Sequence, residues 1–178
     1  MKLKIKQSFR ILALCVLPFL GGCGVYSFTG ANIAPSIQTI SIDQFYDDTG
    51  EGPANLSINF SDQLRDYFLQ NTNLGLVQEN GDLHFEGSIV SYRLTPVAPT
   101  AVGNETRTDE AGLMRLTITV KAVYINSQDD TFNFDKNFSF YDDYDPRTTS
   151  LSAAEDQLIE VIFEQLVYDI FNASVANW

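Results

Sequence analysis

The chain has 178 residues, of which 44% are hydrophobic and 12% aromatic, and it carries a formal charge of −12. Glycine and proline stay near average, so long disorder is not expected, and the acidic balance disfavours nucleic acid and a polybasic grip on anionic lipid. Two cysteines are too few for a disulfide-stapled scaffold, which leaves a packed core as the source of stability.

Lys2, Lys4, Lys6 and Arg10 precede an apolar run from Ile11 to Leu20. Such a run is too short to cross a hydrocarbon core of roughly 30 Å as a helix, and with its basic start it has the pattern of a secretory signal peptide. Leu20-Gly21-Gly22-Cys23 follows directly and resembles the lipobox of bacterial lipoproteins. That resemblance implies cleavage before Cys23 and acylation of this residue. At about 0.8 kcal/mol per buried CH₂, three acyl chains would hold the mature protein on its membrane. Residues 1–22 are then the signal peptide, 23–36 a lipidated tether and 37–178 a single domain. The mature chain keeps seven basic and twenty-three acidic residues, a formal −16. Cys15 leaves with the signal and Cys23 is consumed by lipid, so neither a disulfide nor a free thiol is expected.

The tether, with Tyr26, Phe28 and Pro35, leads into Ile37–Phe45. There Ile40 and Ile42 alternate with Thr39, Ser41 and Asp43, the pattern of a first strand. Turn residues from Tyr46 to Pro53 end it. Leu56, Phe60, Leu64, Tyr67 and Phe68 then line one side of a helix of about sixteen residues. The next strand spans Asp82–Thr95, with Leu83, Phe85 and Ile89 on one parity and Val90, Tyr92 and Leu94 on the other, and the parity change near Gly87 implies a bulge or a strand apolar on both faces. Pro96, Pro99 and Gly103 make Thr95–Gly112 a long irregular loop in which mobility is expected. Leu116, Ile118, Val120, Ala122 and Tyr124 alternate with polar residues in the clearest half-buried strand. Phe132, Phe134, Phe138 and Phe140 follow across a short polar link as its hairpin partner. Ser152 and Glu155 have capping-box spacing and open a last helix with a wide apolar face from Leu158 to Phe171.

The element order β-α-β-β-β-α predicts an α/β (α+β) two-layer sandwich, a four-stranded mixed sheet with both helices on one face. Val90, Tyr92, Val123 and Ile125 are expected on the opposite face, whose apolar and aromatic character would mark a partner site.

Catalytic chemistry is not legible. His84 is the only histidine, and a zinc site built on it would need carboxylates alone to complete it, so it is expected on the polar side of its strand, with no metal and no cofactor. Asp142, Asp143 and Asp145, and likewise Asp47, Asp48 and Glu51, lack the spacing of a calcium loop and read as solvated turn carboxylates. No nucleophile elbow, phosphate loop or dinucleotide fingerprint occurs. The chain is therefore not expected to be an enzyme.

The stretches Gly22-Cys23-Gly24-Val25-Tyr26-Ser27-Phe28, Gly81-Asp82-Leu83-His84-Phe85-Glu86-Gly87, Arg115-Leu116-Thr117-Ile118-Thr119-Val120 and the terminal Val175-Ala176-Asn177-Trp178 together resemble the LptE family in its Bacteroidota form. The resemblance implies an outer-membrane lipoprotein facing the periplasm. It would plug the lumen of the LptD barrel, help that barrel fold and support delivery of lipopolysaccharide to the cell surface. Arg93, Arg107 and Arg115, the local basic group on or beside the long loop, and Tyr92 are the residues that would contact the partner or lipopolysaccharide. The rival readings are an accessory lipoprotein of another envelope transport system and a carboxylate-dependent periplasmic hydrolase.

Overall fold

A computed structural model describes residues 33–97 and 112–176. Cys23, the signal sequence, Arg107 and most of the long loop lie outside the described residues. The elements are β1 (Thr39–Ile42), β2 (Tyr46–Asp47), α1 (Leu56–Asn71), β3 (Gly75–Leu76), β4 (Leu83–Pro96), β5 (Met114–Asn126), a 3₁₀ turn (Asp130–Phe132), β6 (Phe134–Tyr144) and α2 (Leu151–Ser174).

The sheet has six strands rather than the expected four, in the order β3-β1-β4-β5-β6, with β2 pairing β4 beyond the end of β1. The expected first strand is shorter, β1 alone, and β2 forms at Tyr46–Asp47 where a turn was expected; both run parallel to β4. β3 adds a parallel pair to the other edge of β1. The expected antiparallel part is present: β4 pairs β5 and β5 pairs β6 along nearly their full lengths. β2 and β3 have two residues each, too few to display a period of two, which is why periodicity missed them.

One core fills the space between the helices and one sheet face. β5 contributes Leu116, Ile118, Val120, Ala122 and Tyr124, all buried as alternation requires. α1 contributes Leu56, Phe60, Leu64 and Phe68, and α2 contributes a stripe from Leu158 to Phe171. Aromatic rings join the layers: Phe60 meets Phe163 edge-on at 5.1 Å, Phe68 meets Phe85 at 5.0 Å, and Phe85 meets Tyr124 at 4.8 Å. Such pairs add about 0.5–1.5 kcal/mol beyond the area they bury. Burial pushes the Tyr124 phenol up to about 12, although a hydrogen bond with Asn126 acts the other way.

The bulge is not at Gly87. Gly87 pairs in register with Ala122, and the ladder shifts between Ile89 and Ser91, so Val90 is the extra residue. Gly87 is small because Phe45 lies against it: a Cβ there would fall 2.6 Å from the Phe45 ring and still closer to the Lys121 carbonyl. The α2 start also differs from expectation. Its N-cap residue is Ser150 rather than Ser152, without a side-chain cap, and Glu155 turns away from the helix end to accept a 2.6 Å hydrogen bond from the Tyr92 hydroxyl.

Asp82 fastens the start of β1 to β4. Its Oδ2 accepts from the backbone N–H groups of Gln38 and Thr39 and from the Thr39 hydroxyl at 2.9–3.0 Å, and these bonds hold its carboxyl below the usual range. A depressed folded-state value means that the contribution is present above about pH 4 and is lost as pH falls through the lowered value. Melting temperature is expected to drop as pH is lowered from about 5 to about 3, and Asp82→Asn should flatten that dependence. A second outcome follows from the glycine: Gly87→Ala should lower stability in urea unfolding by about 2 kcal/mol, because ring and carbonyl must both give way.

Candidate functional site

The face of the sheet that the helices leave open is set by the β4–β5–β6 register. Side chains two apart on β5 alternate with the core residues, so Arg115, Thr117, Thr119, Lys121, Val123 and Ile125 point outward. Their β6 neighbours are Asp143, Tyr141, Ser139, Asn137 and Asp135. This surface is mainly polar, not the apolar and aromatic face expected. Val90, Ile125 and Tyr141 are exposed at 38–45%, but polar cross-strand pairs separate them. Thr119 Oγ1 and Ser139 Oγ are 2.9 Å apart, and Lys121 Nζ lies 3.1 Å from Asp135.

Of the four predicted contact residues, Arg115 and Arg93 lie on the open face near the loop end. Arg115 donates from Nε and Nη2 to the two oxygens of Asp143, each at 2.8 Å, and its guanidinium carbon sits 3.5 Å from the Tyr141 ring centroid. The hydrogen bonds to Asp143 raise the guanidinium pKa further, so Arg115 is a fixed, locally neutralised cation. Arg93 is exposed and pairs through its backbone with Thr117, one rung from Arg115. Arg107 lies outside the described residues.

Tyr92 is on the other face. The extra residue at Val90 reverses the parity of β4, and Tyr92, opposite buried Ile118, turns toward the helices. Burial first, and then the Glu155 carboxylate, push its phenol well above the ordinary tyrosine value. It also lies under the loop before α1, where a Cβ on Gly52 would come 2.9 Å from its ring.

A second grouping lies at the opposite end of the same open face. His84 and Glu86, two apart on β4, meet Asp43, which follows the last residue of β1. His84 Nε2 lies 3.8 Å from Asp43 Oδ2 and 4.0 Å from Glu86 Oε2, while Nδ1 is 2.9 Å from Ser41 Oγ. Ser, His and Asp together suggest a nucleophilic triad, but Ser41 is 0% exposed and its oxygen accepts the Gly81 N–H, so no substrate reaches it. Sequence spacing missed the grouping because its third member comes from a neighbouring strand more than forty residues away. The expected placement of His84 on the polar side of its strand agrees with its half-buried position.

Of the carboxylates expected in turns, Asp142 and Asp143 lie in β6 and Asp47 in β2, and three of the set have local partners. Asp145 pairs with Arg147 at 2.7 Å, Asp143 with Arg115, and Asp47 accepts from the Thr49 N–H at 2.9 Å.

A two-layer sandwich with one core and a mainly polar open sheet face defines a protein of the α+β class. The family model described as LptE, lipopolysaccharide-assembly, matches residues 37–174. The chain belongs to the LptE family. No curated protein matches it by sequence. Among solved structures, a hypothetical protein from Chlamydia trachomatis is similar at a TM-score of 0.51 and 10% identity, covering 79% of this chain and 99% of that one. An uncharacterised lipoprotein B from Nitrosomonas europaea is similar at a TM-score of 0.50 and 12% identity, covering 84% and 88%. At these identities the likeness establishes the fold alone.

The Tyr92–Glu155 bond is the polar tie between the loop half of β4 and α2. Tyr92→Phe is expected to cost about 1 kcal/mol in denaturant unfolding, the scale of a hydrogen bond to a partly solvated carboxylate. An unchanged midpoint would mean that the two groups contribute nothing beyond packing.

Proposed function

We propose that this protein is an outer-membrane lipoprotein, processed before Cys23 and acylated there, that plugs an LptD-type barrel, assists its assembly and supports lipopolysaccharide transport to the cell surface. The observation that carries the reading is the extent of the family match, which takes in β1 through α2 and therefore the whole sandwich. The role is non-enzymatic.

Physical features fit that role. A sandwich with one core and cross-strand pairs on its open face is a stiff body, and a plug must keep its shape against a barrel wall. Acyl chains on Cys23 would confine the domain and the barrel to one surface and raise their effective concentration. The acidic surface would complement a basic lumen and orient the domain more than it tightens binding. Arg93, with Arg107 and Arg115 beside the long loop, is placed to meet the barrel or the phosphates of lipopolysaccharide. Of this group Arg93 is exposed, whereas the Arg115 charge is already met by Asp143. Tyr92 supports that end of the strand from inside.

Purification from outer membranes in mild detergent tests the reading. An LptD-type barrel is expected to copurify, and Arg93→Glu should reduce its recovery without altering the circular dichroism of the lipoprotein. Cys23→Ala should abolish labelling by palmitate and release the protein from membranes. Loss of the barrel from wild-type preparations, or an unlabelled wild-type chain, would overturn the proposal.

A further inference from the structure

We propose that Asp43, His84 and Glu86 form a binding site for a divalent transition-metal cation, with Zn²⁺ the best match, on the open sheet face at the end remote from the long loop. The backbone assembles the three donors. His84 and Glu86 share a face because they are two apart on β4, and the Asp43 N–H donates to the Phe85 carbonyl at 2.9 Å, extending the β1–β4 ladder by one rung. Asp43 thereby falls on the same parity as Ser41, the face that carries His84. One donor atom from each side chain lies within 4.8 Å of the others. Bonds of about 2.0–2.2 Å to nitrogen and oxygen place donor atoms roughly 3–4 Å apart, so small side-chain adjustments close the site.

The imidazole is already oriented for ligation. Ser41 is fully buried, and its hydroxyl accepts from the Gly81 N–H at 3.2 Å and lies 3.5 Å from the Leu83 carbonyl. When the hydroxyl proton turns to that carbonyl, Oγ accepts Nδ1–H at 2.9 Å and the Nε2 lone pair faces the two carboxylates. A metal-bound histidine needs this kind of support on its second nitrogen, which fixes tautomer and ring plane together. Ser41 acts as a positioning residue.

Charge supplies the remaining argument. Among the described residues no lysine or arginine forms an ion pair with Asp43 or Glu86, and Arg65, which bonds the Ile42 carbonyl, pairs with Asp62 instead. Two carboxylates converging on one imidazole leave a focus of negative potential on a chain that is acidic overall. One imidazole and two carboxylates suit zinc, cobalt or manganese better than magnesium or calcium, which prefer oxygen alone. The site is half open, so water would complete the coordination.

The test uses the full-length chain, purified in detergent without a histidine tag, stripped with chelator and titrated with zinc chloride by calorimetry. One zinc ion per chain is expected. His84→Asn and Asp43→Asn should each weaken it about tenfold or more, the order expected when support or a ligand is lost, with circular dichroism unchanged. Because His84 is the only histidine, its ring nitrogen signals report the event directly: zinc should shift Nε2 and leave Nδ1 protonated. Absence of binding to the wild-type chain would leave His84 as a hydrogen-bonded ring between two acids and overturn the proposal. Equal binding by wild type and both variants would place zinc elsewhere on the acidic surface and overturn it as well.

Discussion

One extra residue in β4 decides what each side of this sheet is for. Up to Ile89 the core side of the strand is Leu83, Phe85 and Ile89, and beyond Val90 it is Tyr92 and Leu94, each opposite an apolar residue of β5. Without the added residue, Tyr92 and Leu94 would face solvent and Arg93 would point under α2, since a slip of one residue exchanges the two faces. With it, a fourteen-residue strand keeps its apolar side under both helices, and the other face is polar apart from Val90. The bond from Tyr92 to Glu155 needs that continuity.

Much of this architecture is legible in the order of the amino acids, and the failures have specific causes. Strict alternation in β5 and the apolar stripes of α1 and α2 announce themselves because each is long enough to display its period. β4 displays two parities, which reads correctly as a bulge, but glycine drew the expectation to position 87. Gly87 answers instead to the Phe45 ring, a neighbour that only the fold supplies. The expectation of Tyr92 on the open face leaves out the parity change that any bulge before it imposes, and it made that face read as apolar. Ser152 and Glu155 have the spacing of a capping box, yet Glu155 finds a stronger partner across the core. Tertiary contacts overrode a local signal in both cases.

The candidate site was legible only where it is local. Arg93 and Arg115 stand out in sequence because basic residues are scarce, but their different fates depend on β6, which supplies Asp143 and Tyr141 to one and not to the other. The Asp43–His84–Glu86 grouping required the parallel β1–β4 register and could not be seen from spacing. The burial of Ser41 closes its hydroxyl to a substrate although Ser41, His84 and Asp43 lie together. The protein thus reads as a rigid body with two distinct ends on one surface, an arginine-bearing end beside the loop and an acid-histidine end beside the tether.

The proposed function sets Arg93, on the open sheet face, against the barrel, so contact is expected from that face rather than from the helices. Photocrosslinking in intact cells addresses it directly, with a photoreactive residue placed in turn at Thr117 and Ser139 on the sheet and at Gln63 and Tyr168 on the helices. The account predicts adducts with an outer-membrane barrel from Thr117 and Ser139 and none from Gln63 and Tyr168. Adducts from the helical positions alone would contradict it.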